Sequence, residues 1–380
     1  MSLTEIRSEI DAIDTELVKL FNKRMDCAKR VASAKKKDGI PPVSEIRERE
    51  ILERVTDMAD EDVKRYCKML FSTIIDISKA YQREFYDGGE IEKLAESATS
   101  EGKRELPIRA TVAIQGIAGA YSESAATKLF DVPSITYFRA FDGVFQAVSG
   151  GLCKYGVLPI ENSSAGSVSA VYDAMQKYKF SIVKSLRLRV NHCLIGSKEA
   201  DPKHIKEIVS HEQALTQCSS FIASLGTGVK VTVAENTAIA SEAVKKSGRT
   251  DIFALSSALC ADLYGLKVFK QGVQNSDNNY TRFVCIAKNM EVYEGANRIS
   301  IMVTLPHERG SLYHLLSKFA ALDINLLKIE SRPIPGSDFE FMFYFDFEAS
   351  LKDKRVVRLL SEIKSGNRQF ALLGNYSEIV

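Results

Sequence analysis

Several short segments of this chain carry residue types whose spacing suits chemistry. Thr281 and Arg282 stand directly before the apolar run Phe283–Ala287, so a strand would begin with a hydroxyl and a guanidinium. Leu158-Pro159-Ile160 leads into Glu161, Asn162 and Ser163, then Gly166-Ser167-Val168. That pattern reads as a strand turning into a helix. Backbone N–H groups at such a helix start suit an anion, and Ser163, Ser164 and Ser167 add hydroxyl donors. Ala113–Ser122 is a similar strand-to-loop segment, ending Gly116-Ile117-Ala118-Gly119-Ala120-Tyr121-Ser122. Another segment, Ser210–Leu215, carries His211, which reads equally well as a ligand contact or as a strand-end residue.

A different chemistry is suggested near the N-terminus. Ile6, Ile10, Ile13, Leu17, Leu20, Cys27, Val31 and Ala34 follow an alternating three-four spacing, the seam of a heptad helix. The seam places Arg24 between Leu20 and Cys27, where an unpaired charge is costly to bury. Lys35 lies eleven positions on and only ~20° around the helix from Arg24, whereas Arg7 is roughly 100° away and points towards a different site. A later run, Leu70, Phe71, Ile74 and Ile75, continues with Ser78 and Gln82 where apolar residues should follow. Arg47 and Glu48 open another helix after Pro41-Pro42. A ligand bearing carboxylates, a hydroxyl and a polar acceptor would satisfy this set; a seam arginine can equally serve as a register device. A helix over residues 4–36 would be on the order of 50 Å long, more than an 85-residue unit can cover, so a partner helix and a homodimer are implied.

The elements that must position these groups fall into three blocks. Residues 1–88 read as all-helical, and 89–107 as a polar linker. Residues 108–288 alternate short apolar runs with helical segments, the texture of an α/β domain. After a second join near 288–297, residues 297–376 run strand, helix, strand, strand, helix, strand, an α+β order of ferredoxin-like type. The 380 residues carry a net charge of +2, with 45% hydrophobic and 26% charged residues, so no global feature points to nucleic acid or a membrane surface. No apolar run reaches the roughly 20 residues of a spanning helix. The opening MSLTEIRSEI lacks the pattern of a signal peptide. Seven scattered cysteines, none in CxxC, suit free thiols in a reducing cytosol. A cytoplasmic location is expected, and neither metal nor cofactor.

The helical block resembles the all-helical chorismate mutase family through IRSEIDAID, the Arg24 and Lys35 positions, RERE at 47–50 and SKAYQ at 78–82. By that resemblance Arg24, Arg47 and a partner-chain Arg7 bind substrate carboxylates, Ser78 lines the site, Lys35 and Gln82 bond the ether oxygen, and Glu48 holds the ring hydroxyl. An acidic residue frequent in the family falls at Ser44, or at its neighbour Glu45. Residues 108–288 resemble prephenate dehydratase, with two α/β subdomains arranged like a periplasmic binding protein. Thr281 would be the general acid there, Glu161 and Asn162 would orient the departing hydroxyl, and Arg282 with donors near Ser122 and Ser163 would bind carboxylate. Arg309-Gly310-Ser311-Leu312 and Glu330-Ser331-Arg332-Pro333 resemble the phenylalanine-sensing ACT domain, implying an effector site at Gly310, Ser311, Leu312, Glu330, Ser331 and Arg332.

Together these resemblances imply a bifunctional chorismate mutase–prephenate dehydratase, multidomain, inhibited by phenylalanine and at least dimeric. Arogenate in place of prephenate is the nearest alternative. A non-catalytic amino-acid sensor is the more distant one.

Overall fold

The computed structural model describes residues 2–39, 45–83, 89–100, 105–334 and 341–380. The chain divides into two compact units, Met1–Ser97 with Met302–Ala371, and Ala98–Ile301 with Leu372–Val380. Pro41, Pro42 and Ser44, where a break and an acidic position were expected, lie outside the described residues.

The first unit opens with helices α1 (Leu3–Asp38), α2 (Glu45–Asp57), α3 (Lys64–Arg83) and α4 (Glu90–Ser100). A capping box starts α1: Ser2 Oγ accepts from the Glu5 N–H and Glu5 accepts from the Ser2 N–H. Gly39, at φ 67°, ends it by donating to the Lys35 carbonyl. Ala28 and Ala32 are the buried residues of α1, while Ile10, Ile13, Leu17 and Leu20 are each at least half exposed (50, 53, 53 and 58%). The expected seam is therefore present but uncovered within this chain. The segment expected to be a polar linker contains α4, with Ile91 and Ala95 buried. Their i,i+4 spacing is a helical signal that the surrounding polar residues mask.

The second unit begins with β1 (Arg109–Gln115), α5 (Tyr121–Leu129), β2 (Val132–Phe138), α6 (Phe141–Ser149), β3 (Tyr155–Asn162), β4 (Gly166–Ser167), α7 (Ser169–Tyr178) and β5 (Ser181–Arg189). It continues with β6 (Cys193–Gly196), β7 (Glu207–Ser210), α8 (Glu212–Gln217), α9 (Ser219–Ser224), β8 (Lys230–Val233), α10 (Thr237–Ser247), β9 (Ile252–Ser256), α11 (Ala258–Tyr264), β10 (Lys267–Gln271) and β11 (Tyr280–Ala287). The remaining elements are β12 (Arg298–Thr304), α12 (Ser311–Ala320), β13 (Leu326–Pro333), β14 (Phe341–Glu348), α13 (Lys354–Gly366), β15 (Phe370–Tyr376) and β16 (Glu378–Ile379).

Two sheets make two lobes of the second unit. One has the order β16-β5-β11-β3-β1-β2 with β4 beside β3; the other has the order β10-β6-β9-β7-β8. Val112, Ile114, Tyr155, Val157 and Phe283 form the core of the first lobe, and Ile195, Val209, Ala254 and Cys260 contribute to that of the second. The chain crosses between lobes twice, from β5 to β6 and from β10 to β11. These crossovers lie side by side: the Val190 N–H donates to Asn279 O at 2.8 Å and the Val273 N–H to His192 O at 3.0 Å. A strand-helix-strand-strand-helix-strand order from β12 to β15 forms a further sheet, β13-β14-β12-β15, as the ferredoxin-like expectation requires. The expected C-terminal boundary at 376 is not where packing divides, since residues from Leu372 onward group with the second unit.

In the second lobe the Glu207 carboxylate accepts from Thr232, Lys230 and Arg249 at 2.6–3.1 Å. The Thr232 hydroxyl first, then Arg249 and Lys230, lower its pKa to about 2. A depressed carboxylate contributes stability that is full above its ordinary value and is lost as pH falls towards its folded value. Between pH 4.5 and about 2, E207Q should therefore flatten the acid-unfolding curve. At pH 7 it should cost on the order of 2 kcal/mol, the scale of a charge-assisted hydrogen bond, measured from urea midpoints.

Candidate active sites

The first polar cluster sits where the paired crossovers meet β3 and β11. Register places Thr281 opposite Asn162 and Arg282 opposite Glu161. Successive strand residues face opposite sides of a sheet, so Thr281 and Asn162 share one face and Arg282 and Glu161 the other.

On the first face, the buried Asn162 carboxamide is oriented by its neighbours. Its Oδ1 accepts from the Ser164 and Ala165 N–H groups at 3.1 and 3.0 Å, and from Gln217 Nε2 at 3.2 Å. Backbone N–H groups can only donate, so this end must be the oxygen. Its Nδ2 then donates to Thr281 Oγ1 at 3.0 Å, to Asn279 Oδ1 at 2.9 Å and to Tyr280 O at 3.2 Å. Gln217 Oε1 accepts from Asn279 Nδ2 at 2.9 Å and meets His192 Nε2 at 3.0 Å, so His192 Nε2 is the protonated nitrogen. His192 is 3% exposed, and burial pushes its pKa below the ordinary value, which keeps the ring neutral near pH 7. His192 Nδ1 has no hydrogen-bond partner among the described residues. Tyr121, the first residue of α5, packs edge-on against His192 at 6.0 Å and donates its hydroxyl to Asn191 O. The chain of bonds has one direction, and it ends on a Thr281 oxygen that accepts. The hydroxyl hydrogen of Thr281 is thereby left to be donated elsewhere.

Glu161 and Arg282 do not join this face. Arg282 is 9% exposed and lies 3.8 Å from Glu161 Oε2, 3.3 Å from Glu378 Oε2 and 2.6 Å from Tyr376 Oη. The donors expected around Ser163 are used internally. Its N–H donates to Tyr280 O, its hydroxyl donates to Asn278 O and accepts from the Tyr280 N–H, and the next two N–H groups serve Asn162. Ser122 is buried in the first turn of α5, whose N-cap residue, Ala120, offers no side-chain acceptor. His211 is the N-cap of α8, accepting the Gln213 N–H at Nδ1. Sequence reasoning missed Gln217 and His192 and did not single out Asn279. Gln217 lies 55 residues from Asn162, and no local pattern signals it.

The second cluster lies between α1 and α3. The Arg24 guanidinium bonds Ser78 Oγ and, at 3.3 Å, the Ile74 carbonyl. Ser78 is buried and Arg24 is half-buried, and desolvation lowers the Arg24 pKa. One turn beyond Ser78 on the same face of α3, Gln82 Oε1 is buried with no hydrogen-bond partner among the described residues. Lys35 is half-buried. Glu48 pairs with Lys79 at 2.9 Å, and Lys79 also pairs with Asp76. Two expected members stand apart: Arg47 is 62% exposed and bridges to Glu50, and Arg7 is on the exposed half of α1.

Two cavities occur elsewhere in the first unit. One of about 500 Å³ lies among α3, α12 and α13, lined by Asp76, His314, Lys318, Arg355 and Glu362, and of the residues of the two clusters it shares only Asp76, the far partner of Lys79. Its charges are largely matched, with His314 Nδ1 2.8 Å from Asp76 and Lys318 paired to Glu362. A smaller one, about 140 Å³, lies at the start of α12 against Ser311, Leu312, Phe341 and Phe343. Gly310, at φ 86°, caps that helix in a conformation that favours glycine. On β13, Glu330 and Arg332 face one side and Ser331 the other, so these three cannot meet one ligand together.

Residues 6–83 match the chorismate mutase type II family and residues 112–291 the prephenate dehydratase family. A bifunctional chorismate mutase/prephenate dehydratase of Enterobacter agglomerans is 31% identical over 98% of this chain and 95% of its own length. Arogenate dehydratase/prephenate dehydratase 1 of Arabidopsis thaliana is 37% identical over 70% of this chain and 71% of its own. A solved prephenate dehydratase from Arthrobacter aurescens, in complex with L-Phe, shares the fold over 70% of this chain and 89% of its own, with a TM-score of 0.64 at 24% identity.

Asn162→Ala would leave buried groups of Gln217 and Asn279, and two backbone N–H groups, without their partner. The expected loss is on the order of 3 kcal/mol in denaturant unfolding. A loss below about 1 kcal/mol would mean that water replaces the carboxamide and that the network does not tie the lobes together.

Proposed function

This chain belongs to the bifunctional chorismate mutase/prephenate dehydratase family, and we propose that Arg24 and Thr281 mark the two places where its two reactions occur. The enzyme converts chorismate to prephenate, and prephenate to phenylpyruvate, on the route to phenylalanine. The observation that carries the site assignment is the one-way hydrogen-bond chain ending on Thr281.

In the dehydration, the ring carboxylate of prephenate leaves as carbon dioxide. The electron pair it leaves behind aromatises the ring, and the ring hydroxyl departs on the opposite side. That hydroxyl needs a proton as its C–O bond breaks. Thr281 is suited to supply one, because Asn162 occupies its oxygen as a donor and the O–H is free to point at the substrate. Asn162, Gln217 and Asn279 hold this geometry. Aromatisation makes the departure favourable, so a weak acid suffices when it is well placed.

The rearrangement of chorismate needs no nucleophile. It needs the substrate compressed into its reactive conformer, and donors aimed at the ether oxygen as negative charge grows there. Arg24 with Ser78 supplies a carboxylate site. Lys35 and Gln82 address the ether oxygen and Glu48 the ring hydroxyl. The unpartnered oxygen of Gln82 implies that its amide meets a ligand donor or turns over when the site fills. A second copy of the chain would cover the apolar stripe of α1 and bring Arg7 and Arg47 into use, which favours a homodimer or larger assembly.

The module from β12 to β15 acts in this reading as an ACT regulatory domain. The cavity at Ser311 and Leu312, beside Gly310, accepts the amino-acid end of phenylalanine at the start of α12, with Phe341 and Phe343 against its ring; Ser331, cross-strand from Phe343, is the β13 residue on that face, and Glu330 and Arg332 lie on the other. A second reading, dehydration of arogenate, rests on the Arabidopsis relative and would use the same residues.

Arg24→Ala should lower mutase turnover at least 100-fold while sparing dehydration of supplied prephenate, and Thr281→Val should do the converse. Coupled assays for prephenate and phenylpyruvate check both. Loss of both activities from either folded variant would overturn the assignment. Relative kcat/KM on prephenate and arogenate decides the substrate. Titration calorimetry of the full chain should detect phenylalanine, and Gly310→Val should abolish that signal.

A further inference from the structure

We propose that Glu378 is a positioning residue for the dehydration site, holding from the far face of the sheet the strand end that carries Thr281. The proposal rests on the reading of Thr281 given above.

Glu378 lies in β16, which pairs with β5 in parallel register, Glu378 opposite Ser185. Its side chain is only 1% exposed, yet three guanidinium groups converge on it. Arg298 and Arg187 approach Oε1 at 3.0 and 3.1 Å, Arg282 approaches Oε2 at 3.3 Å, and the Ser185 hydroxyl donates to Oε2 at 3.2 Å. A carboxylate enclosed in this way is held in one place by groups from three strands. Tyr376, fully buried two residues earlier, accepts from Arg282 Nη2 at 2.6 Å and shares a 2.6 Å bond with Ser300. Gly374 lets the backbone draw against β5, since a Cβ there would lie 2.1 Å from Ile182 O.

Arg282 is the residue through which this cluster reaches the site. It follows Thr281 directly and pairs in register with Glu161, the neighbour of Asn162. The β3–β11 ladder slips at this place: Arg282 opposes Glu161, but Phe283 opposes Pro159, so Ile160 is bulged. A bulge loosens the regular ladder and lets side chains re-aim. The backbone ladder therefore aligns Thr281 with Asn162 less firmly here than elsewhere in the sheet. The Glu378–Arg282–Glu161 series on the back supplies the missing constraint on both strand ends. A role limited to holding β16 in place would not require the connection to continue through Arg282 to Glu161.

The test uses the full chain and its two activities. Glu378→Gln should lower dehydratase kcat at least 10-fold with KM for prephenate within twofold, because misplacing an acid by a fraction of an ångström slows the chemical step without removing a substrate contact. Mutase activity should be unchanged, and Glu378→Asp should recover part of the loss. A wild-type kcat in folded Glu378→Gln, or a rise in KM alone, overturns the proposal. Should circular dichroism show the glutamine variant unfolded, the aspartate variant decides: a several-fold lower kcat at unchanged KM supports positioning, and a wild-type kcat overturns it. A wild-type chain that fails to dehydrate prephenate would instead sink the reading of Thr281.

Discussion

The orientation of one carboxamide governs the cluster proposed as the dehydration site. Because Ser164 and Ala165 present N–H groups to Asn162, its carboxamide has one allowed orientation. Every later bond in the series inherits that orientation. Gln217 must turn its NH2 towards Asn162, His192 must protonate Nε2, and Thr281 must accept. A threonine hydroxyl has little intrinsic acidity, so its value lies in where its hydrogen is forced to point. The tight turn after β3 thus sets the orientation on which the proposed role of Thr281 depends. The same turn consumes the anion-binding donors that its serine-rich sequence advertises.

The helical site obeys the same rule with charge in place of dipoles. Arg24 is partly withdrawn from water and is given a hydroxyl and a carbonyl, neither of which neutralises it. Gln82 carries a buried oxygen in need of a donor. A protein tolerates such groups where a ligand will complete them. The exposed stripe of α1 is incomplete in the same sense at larger scale, since four large aliphatic side chains face solvent along one line.

How much of this was legible in the sequence depended on range. Periodicity carried α1 and α3, and polar residues interrupting an apolar stripe announced the meeting of Arg24 with Ser78. The order of elements from β12 to β15 was readable because each element keeps its own period. Strand alternation, applied to Glu161-Asn162 and Thr281-Arg282, would have separated the two faces; reading each pair as one cluster put Glu161 and Arg282 on the wrong side of the sheet for Thr281. Gln217 and His192 were beyond reach, because they arrive through a lobe whose position depends on the whole tertiary fold. Helix α4 was hidden by its polar surface. Glu378 was hidden by brevity, since a strand of two residues leaves no period to detect.

The strand order β16-β5-β11 has a consequence for biosynthesis. Chains emerge from the ribosome N-terminus first, and domains generally fold as they appear. The β5, β11 and β3 strands emerge more than ninety residues before Glu378. Until then Arg187, Arg282 and Arg298 share a lobe without the carboxylate they surround, and β5 presents an open edge, the kind of surface that invites foreign strands. A nascent chain stopped at the end of β11 therefore carries the strands that hold Asn162 and Thr281 but not the segment that closes the β5 edge.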